Sequence, residues 1–278
     1  MYKRQVEDHP HIMFHRNFGR WINKLTYAIA DFGLTKSAIY SQKWLSHIKR
    51  KTTTKKVAEA LARNKVVYTI SPSLFSRPDY WRGNIKVLGF HERNKSLNWN
   101  PSIALENFIK KHTKFVVVTF GSMINDSPLR NTEMILQILE NNKIPAIINT
   151  CAGGLVIPKN YANAQIHFVD TIPYDWIFPK AYAVIHHGGS GTTHMALKYG
   201  CANLIIPHIV DQYVWNIIVH EKGVGPLGID ISSITVDTLA PKIIDLIENK
   251  TYKTQAEQLG LAIQKENFET KICDAITA

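Results

Sequence analysis

The sequence predicts an α/β protein whose larger part is a parallel sheet covered by helices on both faces. Three observations predict it. From Phe115 onward, short and near-continuous apolar runs recur, as expected of strands buried on both sides. Helical patterns separate these runs, the alternation that builds a parallel sheet. Polar or glycine-rich residues close several runs, and such sheets bind ligands at the carboxyl ends of their strands.

Taken in order, residues 1 to about 65 read as helical, with scattered aromatics at Phe14, Phe18, Trp21, Tyr27, Phe32, Tyr40 and Trp44; Gly33 is expected to end one helix. Val66–Ile70 is a β-rich run stopped by Ser71-Pro72, and Ile85–Phe90 is another. The polar stretch His91–Pro101 reads as a linker. Phe115–Phe120 is a buried-type strand ending at Gly121-Ser122. A helix follows with Met134, Ile135, Ile138 and Leu139 on one face. Ala146–Thr150, Ile166–Val169, Ala183–His186 and Asn203–Pro207 are further strands. A short helix is expected from about Thr192 to Tyr199, with Gly200 at its C′ position, and Leu239, Ile243 and Leu246 mark a later amphipathic helix.

Composition excludes several classes. With 278 residues and 45% hydrophobic content, the chain can bury a sizeable core. Cys151, Cys201 and Cys273 lie far apart without C-x-x-C spacing, which argues against a disulfide framework or a zinc site and fits a reducing, cytoplasmic setting. No apolar run is long enough to span a bilayer, and no signal peptide is read. The net charge is +11. Its densest stretch, Lys49-Arg50-Lys51 followed by Lys55-Lys56, lacks interleaved aromatics; a solvated helix end or loop explains it better than nucleic-acid binding, while a peripheral membrane contact stays open.

The strongest chemical signal is His186-His187-Gly188-Gly189-Ser190-Gly191-Thr192-Thr193. Glycines let a backbone approach a ligand closely. The run feeds a helix N-terminus, whose free N–H groups and partial positive charge suit a diphosphate. Neither a Walker A sequence nor G-x-G-x-x-G fits, because no lysine follows the glycines and His194 takes the last glycine's place. Strand alternation puts one of the two histidines on the ligand side, and His187, touching the glycines, is the expected one. After the next apolar run, Pro207-His208-Ile209-Val210-Asp211-Gln212 offers a carboxylate and an amide suited to sugar hydroxyls; Asp211 also suits a helix cap.

These motifs, together with the segment Phe168–Pro179, Gly200, Ile206-Pro207 and Gly223-Val224-Gly225, resemble the donor-binding domain of family 1 UDP-glycosyltransferases, and most of all the sterol 3-β-glucosyltransferases and related bacterial enzymes acting on lipids and natural products. Thr119–Met123 resembles the family's first C-domain loop; Ser71–Leu74, Arg77-Pro78 and Trp81 resemble the end of its N-terminal domain. The likeness covers most of the chain and is densest over 115–226. It implies a GT-B fold: a complete C-terminal Rossmann-like donor domain over 101–278, and a partial N-terminal acceptor domain with linker over 1–100, on which the last helix packs back.

Carried over from the resemblance, His187, Gly189, Gly191, Thr192 and the Gly121-Ser122 backbone would contact the UDP diphosphate, and Gly188, Ser190 and Thr193 would belong to the same donor site. Asp211 and Gln212 would hold the sugar, Phe168 and Val169 would lie near the uracil, and Trp176 is either a wall of that pocket or core. Many relatives hold the ribose with a glutamate after the threonine pair; this chain has His194-Met195-Ala196 instead, and the sterol-type branch often lacks that glutamate too. The implied reaction is inverting transfer of a hexose, glucose foremost, from a UDP-sugar to a hydroxyl of a lipid, sterol or polyketide. It needs no metal or cofactor, in keeping with the lack of any Asp-x-Asp.

The family's opening strand and glycine-rich loop, which carry its catalytic His or Asp, have no match at the start of this sequence. The expectation is therefore an N-terminally truncated chain with no catalytic residue of its own, or one half of a split enzyme. Met1-Tyr2-Lys3-Arg4-Gln5 reads like a translated sequencing adaptor. The rival readings are a non-catalytic nucleotide-sugar binding subunit and a GT-B UDP-sugar epimerase. For a glycoside hydrolase Asp170 and Asp175 are the nearest carboxylate pair, but they precede the loop without a general-acid context.

Overall fold

The computed structural model describes residues 19–44, 52–77, 83–92 and 95–277. Phe14, Phe18, Lys49-Arg50-Lys51, Pro78, Trp81 and the first five residues lie outside the described residues. The chain divides into two compact units: residues 1–72, 76–88 and 268–278, and residues 73–75 and 89–267.

The first unit is helical with a small sheet. Helix α1 spans Arg20–Trp44, α2 spans Thr54–Arg63, and the strands β1 (Val66–Tyr68) and β2 (Ile85–Val87) pair in parallel. Helix α1 runs straight through Gly33, contrary to the expected stop. Gly33 has no positive φ and nothing within 4 Å of where a Cβ would lie, so it is an exposed interior position and not a cap. Trp21, Leu25 and Phe32 of α1 are exposed. Helix α2 is capped by Thr53, whose Oγ1 accepts from Lys56 N.

The second unit is built on five parallel strands: β3 (Val116–Thr119), β4 (Ala146–Asn149), β5 (Ile166–Val169), β6 (Ala183–His186) and β7 (Ala202–Ile205), in the order β5-β4-β3-β6-β7. Val117, Val118, Ile147, Ile148, Val184 and Ile185 are wholly buried, as continuous apolar runs require when helices cover both faces. One face carries α4 (Pro128–Asn141), which buries Met134, Ile135, Ile138 and Leu139, and α8 (Val236–Glu248), which buries Leu239, Ile243 and Leu246. The other face carries Leu105 and Phe108 of α3 (Ile103–Lys111), Ile177 of α5 (Tyr174–Ile177), and Met195 and Ala196 of α6 (Ser190–Lys198).

The sheet order places the site. The chain runs outward from β3 through β4 to β5, then returns to β6 on the other side of β3. The order therefore reverses between β3 and β6, and a crevice opens there beyond the carboxyl ends of the strands. Helices α7 (Gln212–Glu221) and α9 (Lys250–Gln264) complete the unit, and the last helix, α10 (Glu269–Thr277), belongs to the first. No described helix is long and apolar enough to cross a membrane.

The stretch His91–Pro101 is not the bare linker expected. Glu92 takes Lys198 Nζ in an ion pair and accepts from Tyr199 OH at 2.8 Å. Ser96 donates through N and Oγ to Asp175 Oδ2 at 3.0 and 2.7 Å, within a short 3₁₀ turn at Lys95–Asn98. Phe90 stacks on His194 at 4.8 Å. Polar residues in this stretch looked like solvated loop because their partners lie 79 to 107 residues away.

Candidate functional site

A cavity of about 730 Å³ lies at the carboxyl ends of the strands of the second unit. Gly121 and Ser122 after β3, Asn149 and Cys151 at the end of β4, Thr171–Asp175 after β5, and His187, Gly189, Gly191 and Thr192 after β6 all line it. Phe90, His91 and Trp99 wall it as well. The volume is within the range of small-molecule sites.

Helix α6 begins at Ser190, two residues earlier than expected, with Gly189 as its N-cap and Gly200 at φ +68° just past its end. The first intrahelical N–H bond runs from Thr193 N to Gly189 O at 2.9 Å. The N–H groups of Ser190, Gly191 and Thr192 precede that bond and have no helical acceptor, which leaves three donors at a positive helix end. Thr193 differs from Thr192: it is fully buried and its Oγ1 donates back to Gly189 O at 3.0 Å, so its hydroxyl serves the helix and not the cavity.

The two histidines point apart as strand alternation requires. His186 is fully buried; its Nε2 is 2.8 Å from Asn203 Oδ1, and its Nδ1 accepts from Gly188 N at 3.1 Å, which holds the start of the loop. His187 faces the cavity, and its ring is clamped between two glycines. A Cβ on Gly121 would lie 2.9 Å from His187 Cε1, and one on Gly189 would lie 2.4 Å from Nε2. The imidazole fits only because both neighbours lack a side chain. Burial lowers His187 to about 4, and the His208 ring, centred 6.5 Å away, pushes the same way. His186 is lowered to about 3 and His194 to about 4, both chiefly by burial. At neutral pH these are uncharged rings, and His187 offers polar atoms without a fixed charge.

Beneath the cavity floor lies a hydroxyl cluster. Thr119 Oγ1 is 3.0 Å from Tyr174 OH, accepts from Gly121 N at 3.2 Å, and accepts from Asn149 Nδ2 at 3.3 Å. Tyr174 stacks on Phe178 at 4.5 Å. The ends of β3 and β4 and the start of α5 are thus tied at one point. The Gly121 N–H is used by this turn, so the Ser122 backbone and hydroxyl remain as the donors of that loop.

Several expected residues stand elsewhere. Phe168 packs edge-on against Tyr161 at 5.5 Å on one face of the sheet, Val169 packs on the other face, and neither lines the cavity. Trp176 stands behind Trp99, edge to face at 4.9 Å, with Lys180 Nζ 4.1 Å over its ring; Trp99 lines the cavity in its place. Gly188 and Ser190 shape the loop without lining the cavity. Gln212 is buried against Gly188, and its Oε1 accepts from His208 N at 2.7 Å and Ile209 N at 3.1 Å. Asp211 occupies the N-cap position of α7 but makes no side-chain cap bond; burial raises its carboxyl above the usual range. The pair flanks the β6 loop from the β7 side. Phe90, His91, Trp99, Asn149 and Tyr174 were not foreseen. The signal for Asn149 was there, a polar residue closing an apolar run, whereas Trp99 sits in a stretch that reads as loop.

Residues 156–276 match the family described as the Erythromycin biosynthesis protein CIII-like, C-terminal domain. A sterol 3-beta-glucosyltransferase of Arabidopsis thaliana is 34% identical over 203 residues, 72% of this chain and 31% of its own length. A second from that plant is 31% identical over 208 residues, covering 75% and 34%. The chain therefore spans about a third of the length of these curated relatives. Among solved structures, the kitacinnamycin glycotransferase aligns with a TM-score of 0.70 at 15% identity, over 92% of this chain and 66% of that one. UDP-glucose: anthocyanidin 3-O-glucosyltransferase in complex with UDP aligns with a TM-score of 0.63 at 14% identity, over 83% and 58%. At those identities the structural likeness concerns the fold.

Proposed function

Because this chain is of the family 1 GT-B glycosyltransferase type and sterol 3-beta-glucosyltransferase-like, we propose that its second unit binds a UDP-sugar for transfer of a hexose, glucose foremost, to a hydroxyl of a sterol, other lipid or natural product. The observation that carries this reading is the open start of α6 beside His187 at the point where the strand order reverses. Three unpaired N–H groups, the Thr192 hydroxyl and a neutral imidazole there match a diphosphate. Asp211 and Gln212, flanking that loop from the β7 side, would take the sugar hydroxyls; with Gln212 Oε1 committed to the backbone, its amide N–H groups are what it offers.

In the proposed reaction the acceptor oxygen attacks the anomeric carbon from the face opposite UDP and the configuration inverts. UDP departs with the shared electron pair, and the helix end and His187 stabilise its charge. No metal is invoked, since fixed donors supply that stabilisation. The base that deprotonates the acceptor is not assigned to any residue described, so the role proposed for this chain is the donor side.

The test is ligand protection followed by transfer. UDP at about 100 times its Kd should raise stability by about 2.7 kcal/mol, read as a higher melting temperature. Saturating UDP with no shift refutes the donor site. With UDP-glucose and a sterol, product formation that EDTA does not diminish supports metal-independent transfer. UDP binding without product supports a donor-binding role only.

A further inference from the structure

Asn149 has a buried polar atom without a partner. The residue is 2% exposed, ends β4 and lines the cavity. Its Nδ2 donates to Thr119 Oγ1 at 3.3 Å. Its Oδ1 has no hydrogen-bond partner. A buried carbonyl oxygen left unpaired is rare and costly in a folded protein. Held by its amide nitrogen, Asn149 stands in the cavity wall with this vacant acceptor buried in it.

The sheet order says which part of a nucleotide-sugar reaches it. The diphosphate cradle is at β6 and the Asp211-Gln212 pair follows β7, on one side of β3. Asn149 ends β4, on the other side. Adjacent strands lie about 4.8 Å apart, so Asn149 is on the order of 10 Å from the β6 end, in the direction opposite the sugar. A ribose and one phosphate separate the base from the β-phosphate, so the base falls between the ends of β4 and β5. Ile172 and Pro173 from the β5 side line the cavity there.

Resting on the donor-site reading above, we propose that Asn149 is the residue that selects the pyrimidine: its Oδ1 accepts the N3–H of uracil. Uracil carries a hydrogen on N3, whereas cytosine carries a lone pair. Facing Asn149 Oδ1, uracil completes the missing bond and cytosine sets two acceptors against each other. A site built to pair with one hydrogen-bonding group discriminates strongly against a ligand lacking it.

The experiment measures UDP and CDP affinities of the full chain by calorimetry, for wild type, Asn149→Ala and Asn149→Asp. Wild type should prefer UDP roughly tenfold or more. Asn149→Ala should lose that preference by weakening UDP and leaving CDP nearly unchanged. Asn149→Asp keeps an acceptor and should keep the preference while weakening both nucleotides, because its charge opposes both diphosphates alike. A wild type that binds CDP as well as UDP overturns the proposal, as does a preference that survives Asn149→Ala. Equal loss of both nucleotides in Asn149→Ala overturns it in favour of a ribose contact. Melting curves confirm folding; should Asn149→Ala not fold, loss of the preference in Asn149→Asp overturns the proposal alone. Failure of wild type to bind any nucleotide is a different result, since it removes the donor site itself.

Discussion

Gly189 and Gly191 stand two residues apart at the start of α6, yet a methyl group would meet different surroundings at each. At Gly189 it would press on His187 Nε2 at 2.4 Å; at Gly191 nothing lies within 4 Å. Gly189→Ala is expected to displace the imidazole, cost about 1–3 kcal/mol of stability and weaken UDP at least about tenfold. Gly191→Ala should leave the melting temperature unchanged or slightly raised, since alanine favours helix. Any loss of UDP affinity in that variant would then report a phosphate lying against the backbone. Melting curves with and without UDP measure both effects. Tyr174→Phe keeps the stack on Phe178 and removes the hydroxyl shared with Thr119. It should cost about 1 kcal/mol and weaken UDP several-fold, because Tyr174 lines the cavity and its hydroxyl holds Thr119.

At the scale of elements, the start of α6 is set by the β6 loop and its far end by distant residues. Glu92 binds Lys198 and Tyr199 in the last turn, and Phe90 lies on His194. Glu92→Ala should therefore lower stability by about 1–3 kcal/mol, as expected when a half-buried lysine and tyrosine lose one shared partner. Urea denaturation measures it, and Glu92→Gln should recover part of the loss by still accepting from Tyr199. Ser96 and Asp175 tie the same stretch to α5. The Asp175 carboxylate is thereby engaged, which weighs against the hydrolytic reading of Asp170 and Asp175.

For the whole molecule, three buried histidines set the response to acid. His186, His187 and His194 are held at about 3, 4 and 4, below the ordinary 6.5. Between pH 6.5 and these values, the unfolded chain takes up protons that the folded chain excludes. Stability is therefore full above pH 6.5 and falls as the pH drops, by up to about 1.4 kcal/mol per pH unit for each histidine. Urea midpoints at pH 7.5, 5.5 and 4.5 should fall in that order. A stability that stays level down to pH 4.5 would show that the rings are solvated.

The sequence alone determined the parallel sheet, because continuous apolar runs separated by helical periods have one good way to be buried. It determined the diphosphate loop and the opposed directions of His186 and His187, because those are local: a glycine run, a helix start and the two-residue period of a strand. It missed where the helix begins and where Thr193 points, since the bonds of Thr193 N and Oγ1 to Gly189 O decide these. Tertiary structure alone decided the walls of the cavity. Trp99 and Tyr174 arrive from separate parts of the chain, and Trp176 and Phe168 are turned to packing by neighbours far off in sequence. Most of all it decided the strand order. That order sets Asn149 on one side of His187 and Asp211 on the other, and long-range burial, which no local pattern encodes, chooses it.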